Sequence, residues 1–181
     1  MSDTGPSSAA ARHATIYSKP GLPAFEHWQV APRLRAGRNP LSELDLRQLA
    51  ALGVTHVLDL REEAEWAAPG NWGEDAVIAI PRLGLGRLHL PVRDGGAPAV
   101  ETLAAAVEWI EEVLATPGTA VYVHCRAGLE RTASVLVAWR ARRDGSTLEE
   151  ALGALGEAGY PGAPLRNQKG AVRAFLAGAA G

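Results

Sequence analysis

The order of apolar and polar positions along the chain predicts strands that alternate with helices. Three short apolar or β-branched runs end at glycine, proline or charged residues, as buried strands do: residues 54–60, 87–90 and 120–123. Residues 98–114 carry an apolar stripe at i, i+4, i+7 and i+11, which predicts a long amphipathic helix. This alternation favours an α/β fold with helices around a central, mostly parallel sheet.

Weaker signals complete the predicted order of elements. Residues 28–37 read as a hairpin that caps one edge of the sheet. The glycine-rich stretch 67–86 predicts a loop with one weak strand at residues 76–80. Further helices are predicted after Ser42, over residues 132–142, and in the last thirty-five residues of the chain.

The composition fits one globular domain. The 181 residues are 47% hydrophobic and 21% charged, with a net charge of −2, so no basic footprint for nucleic acid is present. No apolar run approaches the ~20 residues of a membrane span. Residues 1–25, rich in Ser, Ala, Gly and Pro, predict a disordered or loosely attached tail before a folded domain at 26–181. The single cysteine excludes an internal disulfide and favours a reducing, cytoplasmic compartment.

One loop carries the candidate chemistry. It joins the strand at 120–123 to the following helix and reads His124-Cys125-Arg126-Ala127-Gly128-Leu129-Glu130-Arg131-Thr132. A strand-to-helix turn points backbone N–H groups at one centre, and the helix N-terminus adds positive charge, so this loop is suited to a phosphate-like anion. The same groups would stabilise a thiolate at Cys125, while Gly128 lets the backbone curl and Arg131 offers a bidentate fork.

This run resembles the signature His-Cys-x-x-Gly-x-x-Arg-Thr of the cysteine-dependent protein tyrosine and dual-specificity phosphatase superfamily, in its small dual-specificity branch. The resemblance extends over roughly residues 27–176. It implies a single-domain phosphatase-type fold and hydrolysis of phosphomonoesters through a phosphocysteine, with no metal and no cofactor. It further implies Cys125 as nucleophile, Arg131 as phosphate clamp, Thr132 as helper hydroxyl and His124 as a residue that orders the loop. Residues 126–130 would bind substrate.

The resemblance also implies a general acid upstream of the cysteine. Asp94 lies 31 residues before Cys125, in a segment with two following glycines that supply hinge freedom, and it is the leading candidate. Glu130 competes for this role, because some lipid-directed relatives place an acid inside the loop. Gln168, near the start of the last predicted helix, loosely matches a glutamine that positions the hydrolytic water in some relatives.

The charge near the loop favours a phosphorylated protein as substrate, chiefly phosphotyrosine with dual specificity. Between Cys125 and Arg131 the loop offers only Arg126 and sets Glu130 against it, which suits a monophosphate. The alternatives are a phosphoinositide or other small-molecule phosphatase, a phosphate-binding module without turnover, and an arsenate or sulfur-transfer enzyme. A basic rim would favour the inositide alternative if it reached the pocket, and its candidate members are Arg33, Arg35, Arg38 and Arg93.

Overall fold

The residues that the structure describes form a six-stranded sheet. This computed structural model describes residues 24–67 and 73–178, together with the backbone of residues 13–16. The strands are β1 (His13–Ile16), β2 (Phe25–Ala31), β3 (Leu34–Gly37), β4 (His56–Asp59), β5 (Gly86–His89) and β6 (Val121–His124). Their order is β1-β2-β3-β6-β4-β5, with β1 to β3 antiparallel and the pairs β3–β6, β6–β4 and β4–β5 parallel. The predicted α/β class is therefore confirmed.

Helices pack on both faces of this sheet. They are α1 (Glu43–Ala51), α2 (Ala64–Ala67), α3 (Glu74–Arg82), α4 (Val100–Ala115), α5 (Arg131–Asp144), α6 (Leu148–Glu157) and α7 (Arg166–Gly178). Side chains alternate between the faces of a strand, so Tyr122 packs in one buried cluster with α1 and α3, while Val121 and Val123 pack in the other with α4 to α7. None of the helices in the described part of the chain is long and apolar enough to cross a membrane.

The predicted weak strand at residues 76–80 is wrong, because these residues lie in helix α3. Ala76, Ala79 and Ile80 are buried at helical spacing, whereas Ile78 is 54% exposed. An uninterrupted apolar run of five residues fits a strand and a buried helix equally well. The two acidic residues in the first turn of α3, which interact favourably with the helix dipole, are the local signal for the helix.

The predicted hairpin is confirmed, but it does not cap the edge of the sheet. Strands β2 and β3 pair antiparallel, and β3 then pairs parallel with β6, its register running from Leu34↔Val121 to Gly37↔His124. The hairpin therefore lies inside the sheet and delivers the end of β3 to the neighbourhood of the loop after β6. Pairing across ninety residues is set by tertiary packing, which local sequence does not encode.

The predicted tail, residues 1–25, lies mostly outside the described residues. Two parts of it belong to the fold instead. His13–Ile16 form strand β1, which pairs antiparallel with β2, and Phe25 is a fully buried residue at the start of β2. The short run with Thr15 and Ile16 has the β-branched residues that strands favour, and it pairs with the edge that β2 would otherwise leave open.

The register of the parallel strands aligns their carboxyl ends. His124 at the end of β6 pairs with Gly37 of β3 on one side and with Asp59 of β4 on the other, and Asp59 pairs in turn with His89 of β5. The loops that follow these four strands consequently begin side by side. In parallel α/β sheets this edge is where ligands bind.

Candidate active site

The loop between β6 and α5 presents unpaired amide groups at a helix N-terminus. Cys125, only 3% exposed, follows β6 directly and opens this loop. The N–H groups of residues 126–130 have no hydrogen-bond acceptor among the described residues. A run of free amides at the start of a helix binds tetrahedral anions, as the sequence predicts for this loop.

Gly128 is required by the curvature of this loop. Its φ of +75° lies in the left-handed region, and a Cβ added there would stand 2.0 Å from the carbonyl carbon and oxygen of Gly37. The hydroxyl of Tyr160 donates to the carbonyl of Gly128 at 2.6 Å. The loop therefore packs tightly against the end of β3, where a larger residue does not fit.

Arg131 is fixed by a carboxylate that the sequence analysis did not identify. Its side chain is 2% exposed, and Nη1 and Nη2 donate to Oε2 and Oε1 of Glu65 at 2.6 and 2.8 Å. Nη1 also donates to the carbonyl of Val92 at 2.9 Å. Burial by itself would lower the pKa of Arg131, but the hydrogen bond to Glu65 and the charges of Cys125, Glu65 and Asp94 raise it. The guanidinium is thus a permanent cation with a fixed orientation.

Glu65 reaches the site from the short helix α2, which follows β4. Its side chain is 12% exposed. Burial raises the pKa of Glu65, but hydrogen bonds from the Arg131 side chain and the Glu62 backbone outweigh this and lower it. The available sequence signal was the acidic run Glu62, Glu63 and Glu65 after an apolar strand. That run did not show which of its carboxylates faces Arg131, because the strand order that brings β4 beside β6 was unknown.

Of the two candidate acids, the structure places Asp94 against the phosphate clamp. The Asp94 carboxylate is 61% exposed, and its Oδ1 lies 3.0 Å from Nη2 of Arg131. Glu130 is the N-cap residue of α5, and its side chain forms no hydrogen bond or ion pair with any described residue. The structure therefore brings Asp94, and not the Glu130 side chain, into contact with Arg131, while the choice of general acid stays a prediction.

Gln168 is fully buried, and its amide contacts the segment that carries Asp94, residues 92–98, called here the acid loop. Nε2 of Gln168 donates to the carbonyl of Gly96 at 2.9 Å, and Nδ2 of the adjacent Asn167 donates to the carbonyl of Gly95 at 3.0 Å. Oε1 of Gln168 accepts from the Leu165 N–H. These contacts tie the acid loop to α7. The water-positioning role that the resemblance implies for Gln168 stays a prediction.

His124 and Thr132 flank Cys125. Nδ1 of His124 donates to the carbonyl of Cys125 at 3.0 Å and lies 3.7 Å from Oδ1 of Asp59. Burial lowers the pKa of His124 to about 4, although Asp59 opposes the shift, so the imidazole is neutral at pH 7. The hydroxyl of Thr132 is buried and has no hydrogen-bond partner in the part of the chain described. It remains available to the sulfur or to a bound anion.

A buried ionic cluster underlies His124. Asp59 accepts from Nε and Nη2 of Arg61 at 2.9 and 2.8 Å, and from Nη2 of Arg87 at 3.0 Å. Burial alone would raise the pKa of Asp59, but His124 and the contacts with Arg61 outweigh it and hold the pKa well below its ordinary value. Within the described residues, no group of His, Cys, Asp and Glu side chains is placed to hold a metal ion.

Of the predicted basic rim, Arg38 adjoins the phosphate-binding loop, because its backbone nitrogen lies beside Gly128. Arg33 donates to the carbonyls of Leu114, Thr116 and Thr119, and with Arg35 it lines a cavity of about 290 Å³ at the amino ends of β4 and β6, the opposite edge of the sheet. The expected proximity of Arg33 and Arg35 to the site is therefore wrong. Arg38 follows β3 directly, and Arg93 is an exposed member of the acid loop.

These features define a cysteine-dependent phosphatase site: a cysteine at the carboxyl end of a parallel strand, free amides, a buried arginine and an acid on a neighbouring loop. Residues 35–145 match the family described as "Polymorphic toxin system, DSP-PTPase phosphatase", and the chain belongs to this family. The resemblance found in the sequence is thereby confirmed.

Two curated relatives illustrate the similarity. The chain is 30% identical over 127 residues to dual specificity protein phosphatase 26 of Bos taurus. This match covers 68% of this chain and 55% of the relative. It is 31% identical over 129 residues to phosphatidylglycerophosphate phosphatase PTPMT1 of Arabidopsis thaliana, covering 70% of this chain and 36% of the relative. The match to the first of these relatives thus spans about half of that protein's length.

Solved structures show the same fold. The crystal structure of Tk-PTP in the active form shares 29% identity and a TM-score of 0.69, covering 82% of this chain and 95% of that one. The crystal structure of PTPMT1 in complex with PI(5)P gives a TM-score of 0.72 at 22% identity, covering 85% and 96%. The single-domain phosphatase-type fold implied by the sequence is confirmed by these similarities.

Proposed function

We propose that the protein hydrolyses phosphomonoesters through a phosphocysteine intermediate. The observation that carries the proposal is Cys125 at the start of a loop of free amides, beside the fixed guanidinium of Arg131. The thiolate attacks phosphorus, the bond from phosphorus to the ester oxygen breaks, and Asp94 gives its proton to that oxygen. Water then attacks the phosphorus and gives a proton to the Asp94 carboxylate as the S–P bond breaks, which releases inorganic phosphate and restores both the thiolate and the acid.

The remaining groups of the site stabilise the charge of the transition state or hold Cys125 in position. The amides of residues 126–130 and the fork of Arg131 surround the equatorial phosphoryl oxygens, where negative charge builds up in the transition state. The Thr132 hydroxyl stabilises the sulfur as it becomes the leaving group. His124 holds the backbone of Cys125 through its neutral imidazole.

The proposed substrate is protein phosphotyrosine, with phosphoserine and phosphothreonine also accepted. The dual specificity relative supports this choice, as does the balance of Arg126 and Glu130 within the loop. The second candidate is a small or lipid phosphomonoester, which the phosphatidylglycerophosphate phosphatase relative favours. We also propose a role in a polymorphic toxin system, which the description of the matching family supports.

A substrate panel in the presence of EDTA tests both candidates. The rates with phosphotyrosine and phosphoserine peptides, phosphatidylglycerophosphate and soluble inositol phosphates are compared as kcat/KM, for wild type and Cys125→Ser. Highest kcat/KM on a phosphotyrosine peptide supports the first candidate, and highest kcat/KM on the lipid supports the second. Turnover by Cys125→Ser would contradict the phosphocysteine mechanism.

The proposed setting is a reducing, cytoplasmic compartment. The support is the cysteine count of one, at the position where the mechanism requires a free thiol. Fractionation of cells that produce the tagged chain checks the location, and recovery in an oxidising compartment would contradict it.

A further inference from the structure

We infer that Arg38 and Arg126 form a second anion subsite beside the catalytic cradle, which selects phosphopeptides with an acidic group next to the phosphorylated residue. The inference rests on the proposed function and adds to it a feature of the substrate. Neither the balance of charges in the loop nor the sequence motif indicates this subsite, because Arg38 belongs to a different segment of the chain.

The register of the sheet brings the two arginines together. Gly37 pairs with His124, so Arg38 and Cys125 are the first residues beyond neighbouring strands, which lie ~4.8 Å apart. The backbone N–H of Asn39 donates to the carbonyl of Arg126 at 3.1 Å. A Cβ on Gly128 would lie 2.6 Å from the backbone nitrogen of Arg38, so the two segments are in direct contact.

Both guanidinium groups lack a bonded counter-charge. Arg126 is exposed and Arg38 half-buried, and neither side chain forms a hydrogen bond or ion pair with any described residue. Nε of Arg38 is buried without a partner. Burial and the nearby charge of Arg126 lower the pKa of Arg38, while Glu26 and Tyr122 oppose the shift. The two cations are therefore near enough for their charges to interact.

Two adjacent cations without a bonded anion repel each other, and a bound carboxylate or phosphate reduces that repulsion. Each guanidinium offers a planar fork of N–H donors that matches either group. Arg38 also changes the balance of charge around the loop. Arg126 and Glu130 cancel within the loop, and Arg38 adds a positive charge beside it, at the end of β3.

The exposed position of Arg126 at the rim of the loop favours a phosphopeptide over an inositol phosphate as the substrate. Arg126 follows Cys125 but is exposed, whereas Arg131, the clamp for the scissile phosphate, is buried. The second anion consequently binds outside the cradle, one side chain away from the reacting phosphate. An extended peptide supplies an anion at that separation from the residue next to the phosphorylated one, as an Asp, a Glu or a second phosphate.

Matched phosphopeptides test the inference. Two peptides differ by a single Glu or Gln beside the phosphorylated residue, and kcat/KM is measured for wild type, Arg38→Gln, Arg38→Lys and the control Arg142→Gln. Arg142 is 42% exposed near the far end of α5, ~16 Å along the helix from Arg131. We expect wild type and Arg142→Gln to prefer the acidic peptide roughly 5- to 10-fold, as a charge-assisted contact would give.

The preference should vanish in Arg38→Gln, persist in part in Arg38→Lys, and weaken in wild type as salt is raised. Equal kcat/KM for the two peptides with wild type would overturn the inference while leaving the proposed function intact. Hydrolysis of phenyl phosphate with neither peptide hydrolysed would overturn the proposed peptide substrate, and the subsite with it. A parallel arm compares inositol mono- and bisphosphate. A preference for the bisphosphate that Arg38→Gln removes, without a peptide preference, would overturn the choice of a peptide.

Discussion

At the residue scale, the site balances one buried cation against two carboxylates. Arg131 contacts Glu65 through both terminal nitrogens and Asp94 through one of them. Glu65 is largely enclosed, whereas Asp94 is mostly exposed and lies on a loop with hinge glycines. Glu65 therefore orients the guanidinium, and we expect the more exposed Asp94 side chain to move away from it when a phosphoryl group binds.

Cys125→Ser should abolish hydrolysis and retain binding of phosphate or vanadate. A serine hydroxyl is a poor nucleophile in a site that stabilises a thiolate, but the amides of residues 126–130 and Arg131 are unaffected. Steady-state turnover and calorimetric binding of vanadate measure the two properties. Loss of vanadate binding in a folded variant would show that the sulfur, and not the loop, holds the anion.

Glu65→Gln should lower kcat by up to about 10²-fold with a smaller change in KM, because the fork of Arg131 loses its fixed orientation in the transition state. Glu63→Gln is the matched control, since Glu63 is exposed in the same acidic run. Kinetics on one phosphotyrosine peptide compare the two variants. Equal effects of both substitutions would refute a specific role for Glu65.

His124 should make the protein less stable in mild acid. Its pKa falls from 6.5 to about 4 on folding, so the unfolded chain takes up a proton that the folded protein does not. The free energy of unfolding should be full above pH 6.5 and decrease by about 3 kcal/mol as the pH falls towards 4. Urea unfolding of wild type and His124→Asn at several pH values measures this. A slope in His124→Asn as steep as in wild type would contradict it.

At the element scale, other elements hold the acid loop on both sides of Asp94. Arg131 at the start of α5 donates to the carbonyl of Val92, and the side chains of Asn167 and Gln168 at the start of α7 donate to the carbonyls of Gly95 and Gly96. Asp94 lies between these attachments. The position of Asp94 therefore depends on how α5 and α7 pack.

Asn167→Ala should reduce kcat/KM for phenyl phosphate several-fold and leave kcat/KM for an ester with an acidic leaving group nearly unchanged. Protonation by Asp94 matters only when the leaving oxygen is basic. Asn167 is exposed, so its removal should not impair folding, and Arg173→Ala on the exposed side of α7 is the control. In an Asp94→Asn background the substitution should add nothing. A further loss of kcat/KM in the Asp94→Asn background would show that Asn167 does not act through Asp94.

At the scale of the whole molecule, the proposed chemistry depends on one thiol and on no bound metal. Cys125 is the single cysteine of the chain, and no second thiol is present to form a disulfide with it after oxidation. The loss of activity on oxidation should therefore depend on Cys125.

Hydrogen peroxide should remove activity and the titratable thiol in parallel, and added dithiothreitol should restore both after brief exposure. Activity should be the same with and without EDTA, because every step is carried by side chains and backbone amides. Thiol titration alongside rate measurements checks the first expectation. Inactivation with the thiol still intact, or inactivation by EDTA, would contradict the mechanism.

The contiguous parts of the site follow from local sequence. Residues 124–132 contain the proposed nucleophile, the amides and the proposed phosphate clamp within one strand–loop–helix unit, whose geometry local backbone preferences dictate. Asp94 was also identified, because it precedes two glycines at the spacing that the resemblance supplies. Strands β4 to β6 and the long helix α4 followed from the hydrophobic pattern for the same local reason, whereas β1 and α3 did not.

The distant residues that join them are brought there by tertiary packing. Glu65, Arg38 and Asn167 reach the site because β4 and β3 flank β6 and because α7 packs beside the acid loop. Strand order and register arise from packing of the whole core, in which residues far apart in sequence exclude water together. The same packing separates Arg33 and Arg35 from Arg38, although all three lie within six residues. Arg33 precedes β3 and Arg38 follows it, and the two ends of a strand lie at opposite edges of the sheet.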